Sequence, residues 1–251
     1  MNLPVEVVEA VNQGKCVLFV GRRASLEAAA EAGVKYPGEK QLARKIAGKR
    51  ATIEEALSGA RAQGGRPAIA KALQDWLGVD DIAPTDFHRT AIKRFPLIFT
   101  SAPDDLLERA ATQLGAPAEV LYRGQSIPRP DPMKRVVYKY WGGFERPETL
   151  ALSQGERREL THPADHKKRW RGLLKDHVLF FVGYRPDEAE FEAVWQDISE
   201  SYGGELPRCH LAVAQGRISD VIWQKWVWRG LLLFLADPIE AMEELERQVD
   251  G

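Results

Sequence analysis

K-C-V-L-F-V-G-R-R-A-S, residues Lys15–Ser25, is the stretch of sequence that decides the fold. Val17 to Val20 form an unbroken apolar run that ends at Gly21. Such a run is typical of a strand buried on both faces of a parallel sheet. A glycine at the carboxyl end of this kind of strand is where doubly wound folds receive nucleotide phosphates, because backbone N–H groups and a helix N-terminus meet there.

The same pattern of apolar strand, glycine and polar turn occurs a second time. It reads H-V-L-F-F-V-G-Y-R-P-D at His177–Asp187, with Gly183 in the place of Gly21. We therefore expect two glycine loops side by side on one edge of a sheet. Further apolar or alternating runs predict strands at Phe95–Thr100, Glu119–Tyr122, Lys134–Tyr140, Cys209–Ala214 and Leu231–Ala236.

Helical segments separate these strands along the chain. Apolar spacing, capping residues and glycine stops predict them at Pro4–Asn12, Leu26–Ala32, Asp86–Arg94, from Pro103 onward, and at Gln154–Lys175, Asp187–Tyr202, Ser219–Trp228 and Pro238–Val249. Alternating strands and helices indicate an α/β fold, Rossmann-like and doubly wound, with a mostly parallel sheet. We expect one domain over residues 1–251, with a small helical insertion at roughly 38–84 that covers the sheet edge.

The bulk composition excludes several classes of protein. A formal net charge of −1 argues against a dedicated nucleic-acid binder, so no direct nucleic-acid contact is expected. The chain has neither an apolar run of the ~18–20 residues that span a bilayer nor a signal-peptide pattern at Met1, which predicts no membrane contact and a cytoplasmic location. The two cysteines, Cys16 and Cys209, lie beside predicted strands and fit buried thiols in a reducing compartment.

Four junctions between strand and loop carry recognisable motifs. They read G-R-R-A-S at Gly21–Ser25, T-S-A-P-D-D-L-L-E at Thr100–Glu108, Y-W-G-G at Tyr140–Gly143 and L-F-F-V-G-Y-R-P-D at Leu179–Asp187. In this order and spacing they resemble the sirtuin-like superfamily, whose motifs read G-A-G-A-S, T-T-N-Y-D, H-G and L-F-V-G-Y-S. The branch it looks most like is the bacterial one associated with NAD-consuming anti-phage defence.

The resemblance implies a binding site for NAD or an ADP-ribose-like nucleotide. The positions that match the binding motifs of the family are Gly21, Arg22, Arg23, Ala24, Ser25, Thr100, Asp104, Gly142 and Gly183. No metal is implied. His162 and His166 stand four residues apart, as some metal pairs do, but Pro163 lies between them and no third ligand is near, so we predict no metal site.

The catalytic positions depart from the family pattern. By resemblance, the family's asparagine in the second motif positions the ribose and a water, and its histidine in the third motif acts as general base. Here these positions hold Ala102 and Trp141. Alanine offers no hydrogen bond, and the tryptophan N–H donates only and accepts no proton near neutral pH. A positioned base contributes roughly 10²–10⁴ in rate, so no catalytic residue of the family is intact.

Two binding positions have competing interpretations. Arg22 and Arg23 bring bulk where glycines let backbone approach a pyrophosphate, so they either fill the cleft or turn to solvent, which we favour. Alternatively, their guanidinium groups grip the phosphates of another ligand. Asp104 either contacts the nicotinamide side, as in the family, or is a helix-start aspartate stabilised by the helix dipole.

Two further clusters suggest surfaces. H-K-K-R-W-R at His166–Arg171 is either a solvated helix face, which we prefer, or a contact for an acidic partner. Three tryptophans, Trp223, Trp226 and Trp228, crowd one predicted helix. Such residues usually belong to the core, but tryptophan is enriched in interface hot spots, so an exposed face here would indicate a protein partner or a homo-oligomer.

Three functional hypotheses follow. The first is a catalytically degenerate sirtuin-like protein that acts as a binding, scaffolding or regulatory subunit in prokaryotic anti-phage defence. The second is an active NAD glycohydrolase that recruits another base or is completed by a partner chain. The third is a sensor of a phosphate-bearing ligand that uses Arg22 and Arg23.

Overall fold

Seven parallel strands form one sheet in the computed structural model of the chain. They are β1 (Cys16–Val20), β2 (Leu97–Thr100), β3 (Glu119–Tyr122), β4 (Val136–Lys139), β5 (Val178–Val182), β6 (Cys209–Val213) and β7 (Leu231–Leu235). The structure describes residues 2–34, 44, 55, 65–77, 81–151, 156–157, 170–172, 175–202, 206, 208–213 and 218–250.

The strand order creates a crevice next to β1. The order is β3-β4-β2-β1-β5-β6-β7, and every neighbouring pair is parallel. The chain moves from β1 toward β2 and then returns to add β5 on the other side of β1. Ligands of doubly wound folds bind at such a switch point, outside the carboxyl ends of the strands. This confirms the predicted Rossmann-like α/β fold, with a sheet that is wholly rather than mostly parallel.

Helices cover both faces of the sheet. They are α1 (Val5–Asn12), α2 (Arg23–Glu31), α3 (Gly65–Leu77), α4 (Asp86–Arg94), α5 (Leu106–Gln113), α6 (Ala189–Tyr202), α7 (Asp220–Trp228) and α8 (Pro238–Asp250). One core packs α1, α4, α5 and α8 against strand residues such as Leu18, and the other packs α6 and α7 against residues such as Phe19. Successive strand residues point to opposite faces, which explains why the apolar runs have no polar gaps.

Two helices begin three residues away from their predicted starts. Helix α2 begins at Arg23 instead of Leu26, because arginine and alanine favour helix and the N–H groups of Arg23 and Ala24 find acceptors in the adjoining loops. Helix α5 begins at Leu106 instead of Pro103. The Oδ1 atom of Asp104 accepts the N–H of Leu106 at 3.3 Å and so occupies one of the donors that a helix start leaves unpaired.

Most of the predicted helical insertion at 38–84 lies outside the described residues. Helix α3 is described, and its Arg66 pairs with Glu156 at 2.6 Å and donates to the carbonyl of Leu150. The predicted helix Gln154–Lys175 also lies largely outside them. Within the described part of the chain, no helix has the length and apolar content that a membrane span requires.

Candidate functional site

The two glycine loops lie side by side where β1 and β5 end. The N–H of Gly21 donates to the carbonyl of Val182 at 2.8 Å. A Cβ atom on Gly21 would stand 2.2 Å from the carbonyl oxygen of Gly183, and Gly183 itself has a φ of +77°. The predicted neighbourhood of the two loops is therefore confirmed. The contact between the two loops by itself requires glycine at position 21, whether or not a phosphate approaches the loop.

The arginine pair faces two glutamates across the crevice. Nε of Arg22 lies 3.4 Å from Oε2 of Glu190, and Nη2 lies 3.8 Å from Oε2 of Glu188. Nη2 of Arg23 also lies 3.8 Å from Glu188. The arginines thus neither turn freely to solvent nor stand alone as phosphate ligands, because two carboxylates balance their charge. No motif predicted a role for either glutamate, although the acidic residues after the second glycine motif were a visible signal in the sequence.

Two backbone N–H groups in the first turn of α2 already have hydrogen-bond acceptors within the protein. The N–H of Arg23 donates to the carbonyl of Gly183 and that of Ala24 to the carbonyl of Gly21, both at 3.3 Å. Ala24 and Ser25 are buried within the helix. Free N–H groups at a helix start are what attract an anion, so this helix end offers a phosphate less than the fold usually provides.

The second motif forms a compact turn after β2. Oγ1 of Thr100 accepts the N–H of Ala102 at 3.1 Å, and both residues are buried. One oxygen of Asp104 serves the start of α5, as the helix-start interpretation predicts. The other, Oδ2, is buried and has no hydrogen-bond partner within the described chain. That oxygen is a free acceptor at the sheet edge, which leaves the ligand-contact interpretation open as well.

A fully buried lysine at the end of β4 stands next to this turn. Nζ of Lys139 lies 2.7 Å from Oε1 of Glu108 and donates to the backbone carbonyl of Asp104. Burial alone would lower the pKa of Lys139, but the carboxylates of Glu108 and Asp104 outweigh it and raise that pKa, so the lysine stays charged. A lysine that ends the apolar run V-V-Y-K is the sequence signal for this buried charge.

His88 lies near the site but is not equipped to act as a general base. Its Nδ1 accepts the N–H of Thr85 at 3.2 Å, which completes a capping box at the start of α4. Burial lowers the pKa of His88 to about 4, although Asp104 acts in the opposite direction. The ring is therefore neutral at pH 7, and the nitrogen that accepts a hydrogen bond is already occupied.

Trp141, which by resemblance corresponds to the family's general base, has two guanidinium groups near its ring. The guanidinium of Arg123 lies 5.0 Å from its ring centroid and that of Arg157 lies 5.4 Å away. The indole Nε1 is buried and has no hydrogen-bond partner among the described residues. Gly142, which follows, has a φ of +85°, and a Cβ there would stand 2.3 Å from the carbonyl of Thr149. The loop is therefore tightly packed around a donor-only side chain.

The second and third motifs meet at the sheet edge. The N–H of Tyr140 donates to the carbonyl of Thr100 at 2.8 Å, and that of Phe144 donates to the carbonyl of Pro103 at 3.1 Å. Ala102 and Trp141 thus belong to adjoining loops beside the glycine pair. The structure brings the four motifs together. It adds Arg123, Arg157, Lys139 and the two glutamates, none of which lies at a motif position with a predicted role.

The other predicted surfaces are only partly realised. Trp226 is buried and its Nε1 donates to the carbonyl of Pro186 at 2.7 Å, so it belongs to the core, whereas Trp223 is half-buried and Trp228 is exposed. Trp170, inside the basic cluster, is buried in the core, so the solvated face predicted for this cluster does not include it. His162, His166 and the rest of that cluster up to residue 169 lie outside the described residues. Both cysteines are buried, as predicted.

Comparison with known proteins adds the family. The model of the SIR2-like domain matches residues 96–229, which is more than half of the chain and includes the second, third and fourth motifs. No curated protein matches the chain. The matched range begins after the first glycine loop, yet that loop lies against Gly183 of the fourth motif. With this match and its wholly parallel, doubly wound sheet, the chain belongs to the SIR2-like domain family and has a sirtuin-like NAD-binding fold.

Proposed function

We propose that this protein is a catalytically degenerate member of its family, which acts as a binding or regulatory subunit in prokaryotic anti-phage defence. The observation that carries the proposal is the tryptophan at position 141. A side chain that accepts no proton stands there, with two guanidinium groups near its ring. Ala102 removes the hydrogen bond that would hold a water, and His88 is neutral with its accepting nitrogen in use.

Nicotinamide release tests the proposal directly. Purified protein is incubated with NAD, and free nicotinamide is followed by chromatography, with an active sirtuin as positive control. We expect release no faster than in buffer, because neither Trp141 nor the neutral, hydrogen-bonded His88 can serve as the general base. Turnover at a rate typical of enzymes, on the order of 1 s⁻¹ or more, would overturn the proposal.

The ligand that best fits the crevice is an anion of the ADP-ribose type. Arg157 stands over Trp141 just after the end of β4. Burial raises the pKa of Tyr184, after Gly183, and the charge of Arg157 opposes this shift, so Arg157 lies near that loop as well. Guanidinium and indole N–H groups only donate hydrogen bonds, and phosphate oxygens only accept them. Arg157 and Trp141 would therefore hold the phosphates of such a ligand. NAD has the same phosphates and in addition the nicotinamide–ribose bond that the family cleaves.

An active NAD glycohydrolase is the second candidate, and Asp104 is what favours it. A buried carboxylate oxygen without a hydrogen-bond partner in the described chain is an acceptor at the place where the family contacts nicotinamide. If the protein does turn over NAD, Asp104→Asn should abolish the activity. The matched variant Asp105→Asn alters a neighbouring carboxylate that pairs with Arg109 and should retain it.

A further inference from the structure

The chain that follows Trp141 folds back against it. The N–H of Ala151 donates to the carbonyl of Trp141 at 2.9 Å, and the N–H of Gly143 donates to Oγ1 of Thr149 at 3.3 Å. Leu150 and Ala151 are buried beside these bonds. Because a close-packed interior transmits small shifts, a movement of this segment would displace the tryptophan as well.

Arg157 is attached to the same segment. Its Nε donates to the carbonyl of Ala151 at 3.2 Å, and its guanidinium carbon lies 5.4 Å from the ring centroid of Trp141. This hydrogen bond therefore helps to set where the charge of Arg157 stands relative to the indole. That position matters for an anion, since a charge-assisted hydrogen bond forms only when donor and acceptor are within about 3 Å.

Arg66, in the first turn of α3, contacts the segment at two points. Its Nη1 donates to the carbonyl of Leu150, and its Nη2 lies 2.6 Å from Oε1 of Glu156. Glu156 directly precedes Arg157 in the chain. The side chain of Glu156 is only 13% exposed, so water and salt screen this ion pair less than they screen a surface pair. One guanidinium thus ties together the residues on either side of the attachment of Arg157.

We propose that Arg66 is a positioning residue for the anion site at Trp141, because it fixes the segment that presents Arg157 to the crevice. This role rests on the proposed function for its ligand, an anion of the ADP-ribose type. Arg66 acts through Arg157 and needs no contact with the ligand. With Leu150 and Glu156 held in place, Arg157 has less freedom to lose on binding, and a preorganised donor binds its acceptor more tightly.

The attachment of α3 does not by itself account for these contacts. Ile69, Ala70 and Leu73 are buried along one side of α3, and apolar burial of this kind is what usually docks a helix. The planar fork of an arginine is suited to hold two acceptors in a fixed relation, which a single lysine charge does not do. Arg66 uses that fork on a carbonyl and a carboxylate of the segment that carries Arg157.

Calorimetric titration of the full chain with ADP-ribose tests the proposal. Arg157→Gln should weaken binding about tenfold or more, the usual effect of one lost hydrogen bond to a charged group. Arg66→Gln should also weaken binding, and the variant with both changes should bind no more weakly than Arg157→Gln alone, because the two changes remove the same interaction. Additive losses would overturn the proposal. Unchanged affinity in either single variant would overturn it as well.

Arg94→Gln is the matched control. Arg94 also joins two elements, since it ends α4 and pairs with Glu246 of α8 at 3.2 Å and with Asp250. Its side chain is 22% exposed, close to the 31% of Arg66, but it lies before the amino end of β2, opposite the crevice. This variant should lose stability in urea unfolding and keep the affinity of the wild type. An equal loss of affinity in Arg94→Gln would show that binding merely follows stability, against the proposal.

Hydrogen exchange gives a readout that needs no ligand. The Nε–H of Arg157 is hydrogen-bonded, so its ¹H–¹⁵N resonance should exchange slowly with water, and Arg157→Gln identifies it by its loss. Arg66→Gln should speed this exchange by about tenfold, since protection follows the free energy of local opening. Arg94→Gln should not. If the wild type binds no nucleotide, the proposed ligand fails, and the exchange alone decides whether Arg66 positions Arg157. Unchanged exchange in Arg66→Gln overturns the proposal whether or not a nucleotide binds.

Discussion

At the scale of single residues, Gly21 is required for packing, although its motif is typical of a loop that binds a ligand. Its absent side chain lets two loops touch, since a Cβ would stand 2.2 Å from the carbonyl oxygen of Gly183. We expect Gly21→Ala to destabilise the protein by about 2 kcal/mol or more, because backbone would have to move in a close-packed interior. Urea unfolding measures this.

Gly172→Ala is the matched control for that variant. Nothing lies within 4 Å of the position a Cβ would take there. Alanine should be neutral or slightly stabilising, because glycine loses more backbone freedom on folding. Equal unfolding midpoints for the two alanine variants would show that the contact between the loops does not constrain position 21.

His88 makes stability depend on pH. An ordinary histidine binds its proton near pH 6.5, whereas burial holds the pKa of His88 at about 4. Between these values the unfolded chain binds more protons than the folded one, so the free energy of unfolding falls as the pH is lowered from 6.5 toward 4. The full loss from this group is roughly 3 kcal/mol. Urea unfolding at several pH values measures it.

His88→Gln isolates this effect. Glutamine is a usual partner of threonine in a capping box, so it keeps the start of α4 while removing the titrating group. The variant should lose less stability than the wild type between pH 6.5 and pH 4. Parallel curves for the two proteins would show that His88 takes up its proton normally in the folded state.

At the scale of elements, the buried ion pair joins β4 to α5. Lys139 lies in the strand, and its Nζ lies 2.7 Å from Oε1 of Glu108 in the helix. Lys139→Met leaves a buried carboxylate unpaired and should cost about 3–5 kcal/mol. Adding Glu108→Leu should recover part of that loss, because both charges are then gone. Thermal and urea unfolding measure both variants.

The control for this pair is an exposed lysine. Lys15→Met changes a side chain at the start of β1 that is exposed and should alter stability by less than about 0.5 kcal/mol. A similarly small effect of Lys139→Met would mean that the pair does not join the two elements.

The helices and strands also show how much of the fold can be predicted from the sequence. Apolar runs such as Val178–Val182 predict strands well, because a buried parallel strand has no polar face to interrupt it. The start of α2 could not be predicted, since it depends on the carbonyl of Gly183, which lies far along the chain. Spacing alone also could not distinguish Trp226 from Trp228. Which side of α7 is covered depends on its packing at the sheet edge.

At the scale of the whole molecule, the parallel sheet made the location of the candidate site predictable. The carboxyl ends of parallel strands share one edge, so motifs at the ends of β1, β2, β4 and β5 had to meet. The chemistry between them was not predictable in the same way. Arg123, Arg157 and Glu190 reach the crevice from loops or helix starts, and only the three-dimensional structure determines where their side chains lie.

Nucleotide binding is a property of the assembled crevice and is tested by thermal unfolding. ADP-ribose at a hundred times its dissociation constant should stabilise the folded protein by about 2.7 kcal/mol. For a chain of this size that corresponds to a rise in Tm of about 5–10 °C. Arg157→Gln should reduce the shift, because a phosphate loses a donor between the ends of β4 and β5.

Arg208→Gln provides the control for nucleotide binding, because Arg208 pairs with Glu6 at the amino end of β6, on the opposite edge of the sheet. Its variant should show the full shift. Absence of a shift with ADP-ribose, NAD and ADP in the wild type would exclude a nucleotide from the crevice. The paired glutamates would then be the reason: Glu188 and Glu190 balance the arginines of the first glycine loop, so no phosphate is required there.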